Sequence, residues 1–514
     1  MKQYEVFEIR LKGNAPKGSE AQVDVSATFS CNGKTQQVKG FYDGAGNYVV
    51  RFLPEQCGKY TWQVSGALQE SGVEWCDASP NRHGIVKAEG LHFKHADGTW
   101  FTPYGTTVYA LIHQEESLIQ TTMNTLRNAP FNKIRFCVFP KHYDFNHNEP
   151  KYYPFRKTNG VWDVHKPCYE YWHNLETRIT QLDDMGIQGD LILFHPYDRW
   201  GFAEMGVENN LIYLDYLLRR LAAYPNLWWS MANEYDLFAG LTTEDWDVMT
   251  RFVAEQDPYG HLLSNHNCFP YWDFSQDWIT HCCIQDTNVN EVPELQRKYG
   301  KPVVFDECRY EGNIVHSWGN LSAREMTHRF WTAMVYGGYC THGETFYSED
   351  EILWWAKGGV LKGKSPERIA FLRTIMEELP GPLEAVTEGV GALTVDMIEE
   401  MKEKGVPEQW KDDFFARNLI HLPTERILPF LLRHRPCLGH CGKDAYIRYF
   451  EKECTSVGIM DLPEDGVYRV DIIDTWEMTR KTVCSDASGQ IRVALPGKEG
   501  MALLALKIAE KASV

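Results

Sequence analysis

The chain has 514 residues, 43% of them hydrophobic, enough for several buried cores and, by length, about two to four domains. Its formal charge of −18 excludes a general nucleic-acid binder, which needs a basic face to neutralise phosphates. No apolar run reaches the length of about 18 residues that a membrane helix needs, so no membrane partner is expected.

The opening residues Met1 to Arg10 run directly into alternating strand-like sequence, without a basic and then apolar leader. Fourteen cysteines without regular spacing read as reduced thiols, and a cytoplasmic location is the simplest expectation. From residue 1 to about 85, apolar and polar positions alternate in short runs such as Tyr4 to Leu11, Gln22 to Ser30, Tyr48 to Phe52 and Gly58 to Val64. Breaks such as Asp43-Gly44-Ala45-Gly46-Asn47 separate them, predicting an antiparallel β-sandwich over residues 1–88. Gly90 to Trp100, with the turn Asp97-Gly98, predicts a hairpin under the bottom of the next domain.

From residue 101 the texture becomes apolar runs alternating with amphipathic stretches, the pattern of parallel βα units. Strands are predicted at Pro103–Tyr109, Lys133–Phe139, Gln188–Phe194, Leu227–Met231, Leu262–Asn265, Trp278–Ile284, Pro302–Phe305 and Gly338–Thr341. Helices are predicted at Tyr169–Met185, Leu211–Tyr224, Thr243–Asp257, Glu291–Tyr299 and Ala323–Gly337. Eight such strands imply an α/β fold, a (β/α)8 TIM barrel over residues 89–382. The long segment 140–168, rich in Tyr, His, Asn and Pro, is expected to wall one side of its cleft. After a helix near Ser365–Glu378, Leu379-Pro380-Gly381-Pro382 marks a boundary. Residues 383–514 are read as a C-terminal β-rich accessory domain, with a charged stretch at 396–413 and strands from Asp444 onward. Cys437-Leu-Gly-His-Cys441 has the form of half a metal site, but no second half follows at zinc-like spacing.

Two strands end abruptly in an acid: Leu-Trp-Trp-Ser-Met-Ala-Asn-Glu, closing on Asn233 and Glu234, and Pro-Val-Val-Phe-Asp-Glu, closing on Glu307. About three βα units, at roughly 25 residues each, separate the two glutamates, which lets both side chains converge across a barrel mouth. Taken singly, each acid would more often end a strand in a solvated salt bridge.

An Asn-Glu pair ending the fourth strand and a Glu ending the seventh resemble the pattern of glycoside hydrolase clan A, the retaining (β/α)8 glycosidases. Val38-Lys39-Gly40-Phe41-Tyr42-Asp43-Gly44 in the sandwich and Thr341-His342-Gly343-Glu344 after the eighth strand look like a poorly characterised bacterial branch of that clan, cellulase-like or apiosidase-like. The resemblance implies Glu234 as acid/base, Glu307 as nucleophile, Asn233 as donor to a sugar hydroxyl and Arg135 as the cation beside the nucleophile. In such an enzyme the carboxyls lie about 5 to 5.5 Å apart; the acid's pKa is raised and the nucleophile stays ionised.

Further candidate sugar contacts are His195, His266 and His342 at strand ends, Gln285, Glu344, and Tyr310, placed to hold the nucleophile by its phenol. Trp200 and Trp318 lie in loops beside glycines, where an aromatic has no core to fill, and are the candidate stacking platforms. The expectation is a retaining, exo-acting glycosidase for short oligosaccharides or glycosides, with a carbohydrate as its partner. It requires no cofactor and no metal, and oligomerisation through the β domains is left open. Two rivals remain: a carbohydrate-binding protein on a degenerate barrel, and a metal-dependent hydrolase using the rim histidines. A transglycosylase would share every residue named.

Overall fold

The computed structural model describes residues 1–387 and 389–511. Two compact units are present: residues 1–286, 299–321 and 341–363 form one, and residues 287–298, 322–340 and 364–514 the other.

In the first unit, the N-terminal strands form two antiparallel sheets. One has four strands in the order Lys34–Lys39, Val25–Cys31, Gly58–Gly66, Glu70–Cys76, and the other pairs Phe7–Lys12, Asn47–Phe52 and Phe41–Tyr42. Strict alternation in Val25–Cys31 turns every second residue inward, and Phe29 stacks on Phe52 with ring centroids 3.9 Å apart. The predicted hairpin is a three-stranded sheet, Val86–Glu89, His92–His95 and Trp100–Phe101. Its Phe93 and Phe101 pack on Trp228 at 4.9 and 6.1 Å, inside the bottom of the barrel.

All eight predicted barrel strands are present: Gly105–Thr107, Lys133–Cys137, Gln188–Phe194, Leu227–Ala232, Leu262–Ser264, Cys282–Gln285, Val303–Glu307 and Tyr339–His342. Counted along the chain, they lie side by side in the order 5-4-3-2-1-8-7-6, and a parallel bridge between His266 and Cys283 joins strand five to strand six. The sheet therefore curls into a barrel. Its strands are buried on both faces, which is why they read as near-continuous apolar runs.

The interior breaks that rule at one level. Lys133 Nζ lies 2.6 Å from both Asp190 and Asp306, and Arg135 reaches the same two acids at 3.3 and 3.5 Å. All four side chains are buried, and each charge faces opposite charges.

The second unit contains the helices Val292–Tyr299, Ala323–Val335 and Ser365–Glu377 and a six-stranded sheet that includes Cys437–Cys441, Ala445–Tyr449, Met501–Glu510, Gly466–Asp474 and Thr479–Ala487. Gly439 allows the closest approach in it: a Cβ there would lie 2.0 Å from the carbonyl oxygen of Val335. The stretch 396–413, read only as charged, opens in the helix Val395–Lys404, and the helices Phe414–Leu419 and Thr424–His434 follow it; the three pack around Leu393, Ile398, Met401, Leu419, Ile427 and Leu431. Among the described residues, no helix is long and apolar enough to cross a membrane.

Candidate active site

The C-terminal ends of the barrel strands carry the polar side chains, as the fold dictates. Strand four ends at Ala232, and the chain then turns through Glu234, whose φ of 57° is left-handed for a residue with a side chain. Strand seven holds an extra residue: Ile284 pairs with Phe305 but Gln285 pairs with Glu307, so Asp306 is bulged. That bulge separates two adjacent acids, leaving Asp306 in the interior ion cluster and Glu307 at the mouth.

Each glutamate is held by its own phenol. Tyr197 donates to Glu234 Oε2, and Tyr109 donates to Glu307 Oε1. The two holds are linked. Tyr109 also touches Asn233 Oδ1 at 3.1 Å, while Asn233 Nδ2 donates to Glu234 Oε2 at 3.2 Å. Gln285 Nε2 donates to Glu234 Oε1 at 3.2 Å, and the Tyr310 hydroxyl lies 3.3 Å from that of Tyr109.

Burial pushes Glu307 up to about 7, and the neighbouring Glu234 charge adds to that shift; the Tyr109 hydroxyl, Arg135 and Lys141 oppose it. The raised value falls on Glu307, the expected nucleophile, and Arg135 acts on it in the expected direction, its charge lowering that value. Arg135 is wholly buried one layer below, where NH2 donates to Asn233 Oδ1 at 3.3 Å and NH1 to Asp190 at 3.3 Å. It supports Asn233 from beneath.

The cation at the level of the acids is Lys141. Its Nζ lies 3.7 Å from the Tyr109 ring centroid, 4.3 Å from that of Tyr197, 5.0 Å from that of Trp355 and 5.6 Å from that of Tyr143. Burial lowers its pKa, against the opposing charges of Glu234 and Glu307. Lys141, Tyr109 and Tyr197 are not among the residues expected from the sequence. The available signal was position: each lies within four residues of the end of a barrel strand.

The three histidines do not gather in the cleft. His195 Nε2 pairs with the Phe139 carbonyl at 3.0 Å, and burial holds the ring neutral, at about 3. His266 accepts from the Glu234 backbone N–H at 3.4 Å and is fully buried. His342 stacks on Phe131 at 4.8 Å and pairs with the Thr106 hydroxyl at 3.1 Å. Glu344 is also buried, accepting from the backbone of Lys362 and Gly363. Trp318 packs on His316, Trp355 and Tyr310, and its carbonyl accepts from the Tyr310 N–H at 2.9 Å. Trp200 lies on the rim built by residues 140–168, with Nε1 donating to Glu149 at 2.9 Å.

A family model described as the apiosidase-like catalytic domain matches residues 87–381. Models of two domains of unknown function, DUF5060 and DUF5605, match residues 1–67 and 434–506. The solved structure of a candidate glycoside hydrolase from Bacteroides vulgatus ATCC 8482 is 33% identical, covers 99% of this chain and 99% of its own, and superposes with a TM-score of 0.84. A family 5 glycoside hydrolase from the same organism shares the fold at 14% identity, with a TM-score of 0.59 over 82% of this chain and 93% of its own. A third structure, described as a glycoside hydrolase, does so at 13% identity, with a TM-score of 0.57 over 82% and 97%. No curated protein matches the chain.

Proposed function

The chain belongs to the apiosidase-like catalytic domain family, and from that premise we propose that it is a retaining glycoside hydrolase acting by double displacement. Glu307 attacks the anomeric carbon and Glu234 protonates the departing glycosidic oxygen. Glu234 then takes a proton from the water that releases the sugar. The observation that carries this reading is the pair of carboxylates ending strands four and seven, each held by a separate tyrosine and close enough for the charge of one to raise the pKa of the other.

Mutual repulsion in a buried pair favours one proton for two carboxyls. The reaction requires that proton on Glu234 when Glu307 attacks. Asn233, tied to Tyr109, Arg135 and Glu234, meets a hydroxyl next to the anomeric carbon in this reading. Tyr143, Trp318 and Trp355 pack together beside Tyr109 and Tyr310, closing one flank of the mouth. That favours an exo-acting enzyme for short oligosaccharides or glycosides. The reading requires no cofactor.

A panel of aryl glycosides, pyranosides and furanosides with apiosides among them, identifies the sugar, with Glu307→Gln as the blank. Glu307→Gly then tests the nucleophile: azide restores turnover and yields a glycosyl azide of inverted configuration. Rescue of Glu234→Gly with inversion, and none of Glu307→Gly, would assign the nucleophile to Glu234 instead.

A further inference from the structure

Behind Tyr310, away from the two catalytic glutamates, Glu311, His342 and Glu344 bring one donor atom each to within 4.8 Å of one another. Their exposures are 2%, 0% and 1%. The chain brings them together by a short parallel pairing, in which Glu311 lies opposite Glu344 just beyond the ends of barrel strands seven and eight. Glu311 N–H donates to the Gly343 carbonyl at 3.0 Å, which locks that register.

Three observations point to a ligand. His342 Nε2 is buried with no hydrogen-bond partner, and the nearest carboxylate oxygen, Glu344 Oε2, is 3.9 Å away, too far for a hydrogen bond. The ring cannot swing to find another partner, because Phe131 stacks on its face and Thr106 holds Nδ1. Two buried carboxylates also lie side by side. A Cβ placed on Gly363 would be 2.4 Å from Glu344 Oε2 and 2.6 Å from Glu311 Oε2, so both oxygens press against the same bare backbone. The backbone N–H groups of Lys362 and Gly363 fix the Glu344 carboxylate in place without removing its repulsion with Glu311.

We propose that Glu311, His342 and Glu344 bind one divalent transition metal ion, of the Zn2+ or Mn2+ type, as a structural site. One imidazole nitrogen and two carboxylates form a donor set that suits those ions better than Ca2+ or Mg2+, which take oxygen donors. Small inward shifts bring the three donors into bonding range. Ligation requires the free electron pair on Nε2 and therefore the proton on Nδ1. Thr106 can receive it: its hydroxyl oxygen already accepts from Trp354 Nε1 at 2.8 Å and has a second lone pair for the imidazole N–H.

Such an ion would tie together the segments that follow strands seven and eight. Gly343, between the two ligands from strand eight, packs against Tyr310, and a Cβ there would lie 2.4 Å from the Tyr310 ring. Tyr310 touches Tyr109, which holds Glu307. The ion acts through position and takes no part in bond cleavage, so the site stands or falls independently of the glycosidase reading.

The test uses the full chain, expressed with both zinc and manganese in the medium so that a buried site can fill during folding. Metal content is measured after dialysis, and Tm is followed before and after exhaustive chelation and on adding back ZnCl2 or MnCl2. The expected result is about one equivalent of metal per chain, with a Tm lowered by several degrees on removal and restored on addition. His342→Gln and Glu344→Gln are expected to lose both effects, while His195→Gln keeps them. Trace metal only in the wild-type chain, together with a Tm indifferent to chelator and to either ion, overturns the proposal. So does stoichiometric metal that survives unchanged in both ligand variants. If neither variant folds, the wild-type metal content and Tm response decide.

Discussion

The barrel buries charge at two levels and treats it in opposite ways. In the interior, Lys133 and Arg135 meet Asp190 and Asp306, two cations with two acids within 2.6 to 3.5 Å. At the mouth, Glu234 and Glu307 stand together, and their support consists of two phenols, two amides and one ammonium caged by aromatic rings. The lower cluster pairs opposite signs and resists change. The upper pair keeps like charges together, which costs stability and leaves a proton to move.

The sharpest break in that comparison is a substitution at each level. Glu307→Gln removes the proposed nucleophile and is expected to lower kcat by about 10^4-fold or more, measured as product release from the best aryl glycoside. Asp306→Asn, the adjacent residue, leaves two buried cations with one acid. It is expected to cost about 3 to 5 kcal/mol in urea unfolding, since breaking a buried pair strands the remaining charge. A stable Asp306→Asn variant would mean that the lower cluster is not what holds this layer together.

Stability against pH separates the levels by sign. Glu307 is pushed up to about 7 in the fold from an ordinary value of 4.5. The folded chain therefore binds that proton more tightly than the unfolded chain. Below pH 4.5 the carboxyl is neutral in both states and costs nothing; as pH rises through 7, ionisation costs the fold up to about 3 kcal/mol. Glu307→Gln escapes that cost, so at pH 8 it is expected to unfold about 1 to 3 kcal/mol later than wild type, and at pH 4 to match it. The inactive variant becomes the more stable protein, the opposite of Asp306→Asn. A Glu307→Gln variant no more stable than wild type at pH 8 would remove the claim of strain at the mouth.

Much of this layout is legible in the chain because parallel strands, buried on both faces, leave uninterrupted apolar runs, and a polar residue ending such a run has only the rim to occupy. Glu234, Glu307 and Gln285 stand out for that reason. The helix Glu116–Asn128 does not, because its inward face mixes Ile119, Met123 and Leu126 with Thr122. Thr121, Thr122 and Thr125 spend their hydroxyls on carbonyls four residues back, which no apolar spacing reveals. The helices between 395 and 434 are short and carry Pro429 within one of them, so charge masks the spacing of Ile398, Met401, Ile427 and Leu431. Arg135 is legible as a cation acting on Glu307, whereas its contacts with Asp190 and Asn233 depend on depth along the strand, which spacing does not show. Tyr109 and Tyr197 reach acids 198 and 37 residues away, contacts that exist only once the strands lie side by side.

The smallest effect tests the mouth from within. Ionised Glu307 is required for attack, so kcat/KM is expected to fall on the acid side with a midpoint near 7 in the free enzyme. Glu234 raises that value and Lys141 lowers it, so removing each should move the limb in opposite directions. Glu234→Gln, assayed on an activated aryl glycoside that needs no acid, is expected to shift the limb down by about one pH unit, and Lys141→Met to shift it up by less. Tyr109→Phe should follow Lys141→Met by a larger step, because its hydrogen bond lowers the Glu307 value more than the Lys141 charge does. Shifts of the same sign in the Glu234 and Lys141 variants would place the titrating group elsewhere and leave the acid limb to another residue.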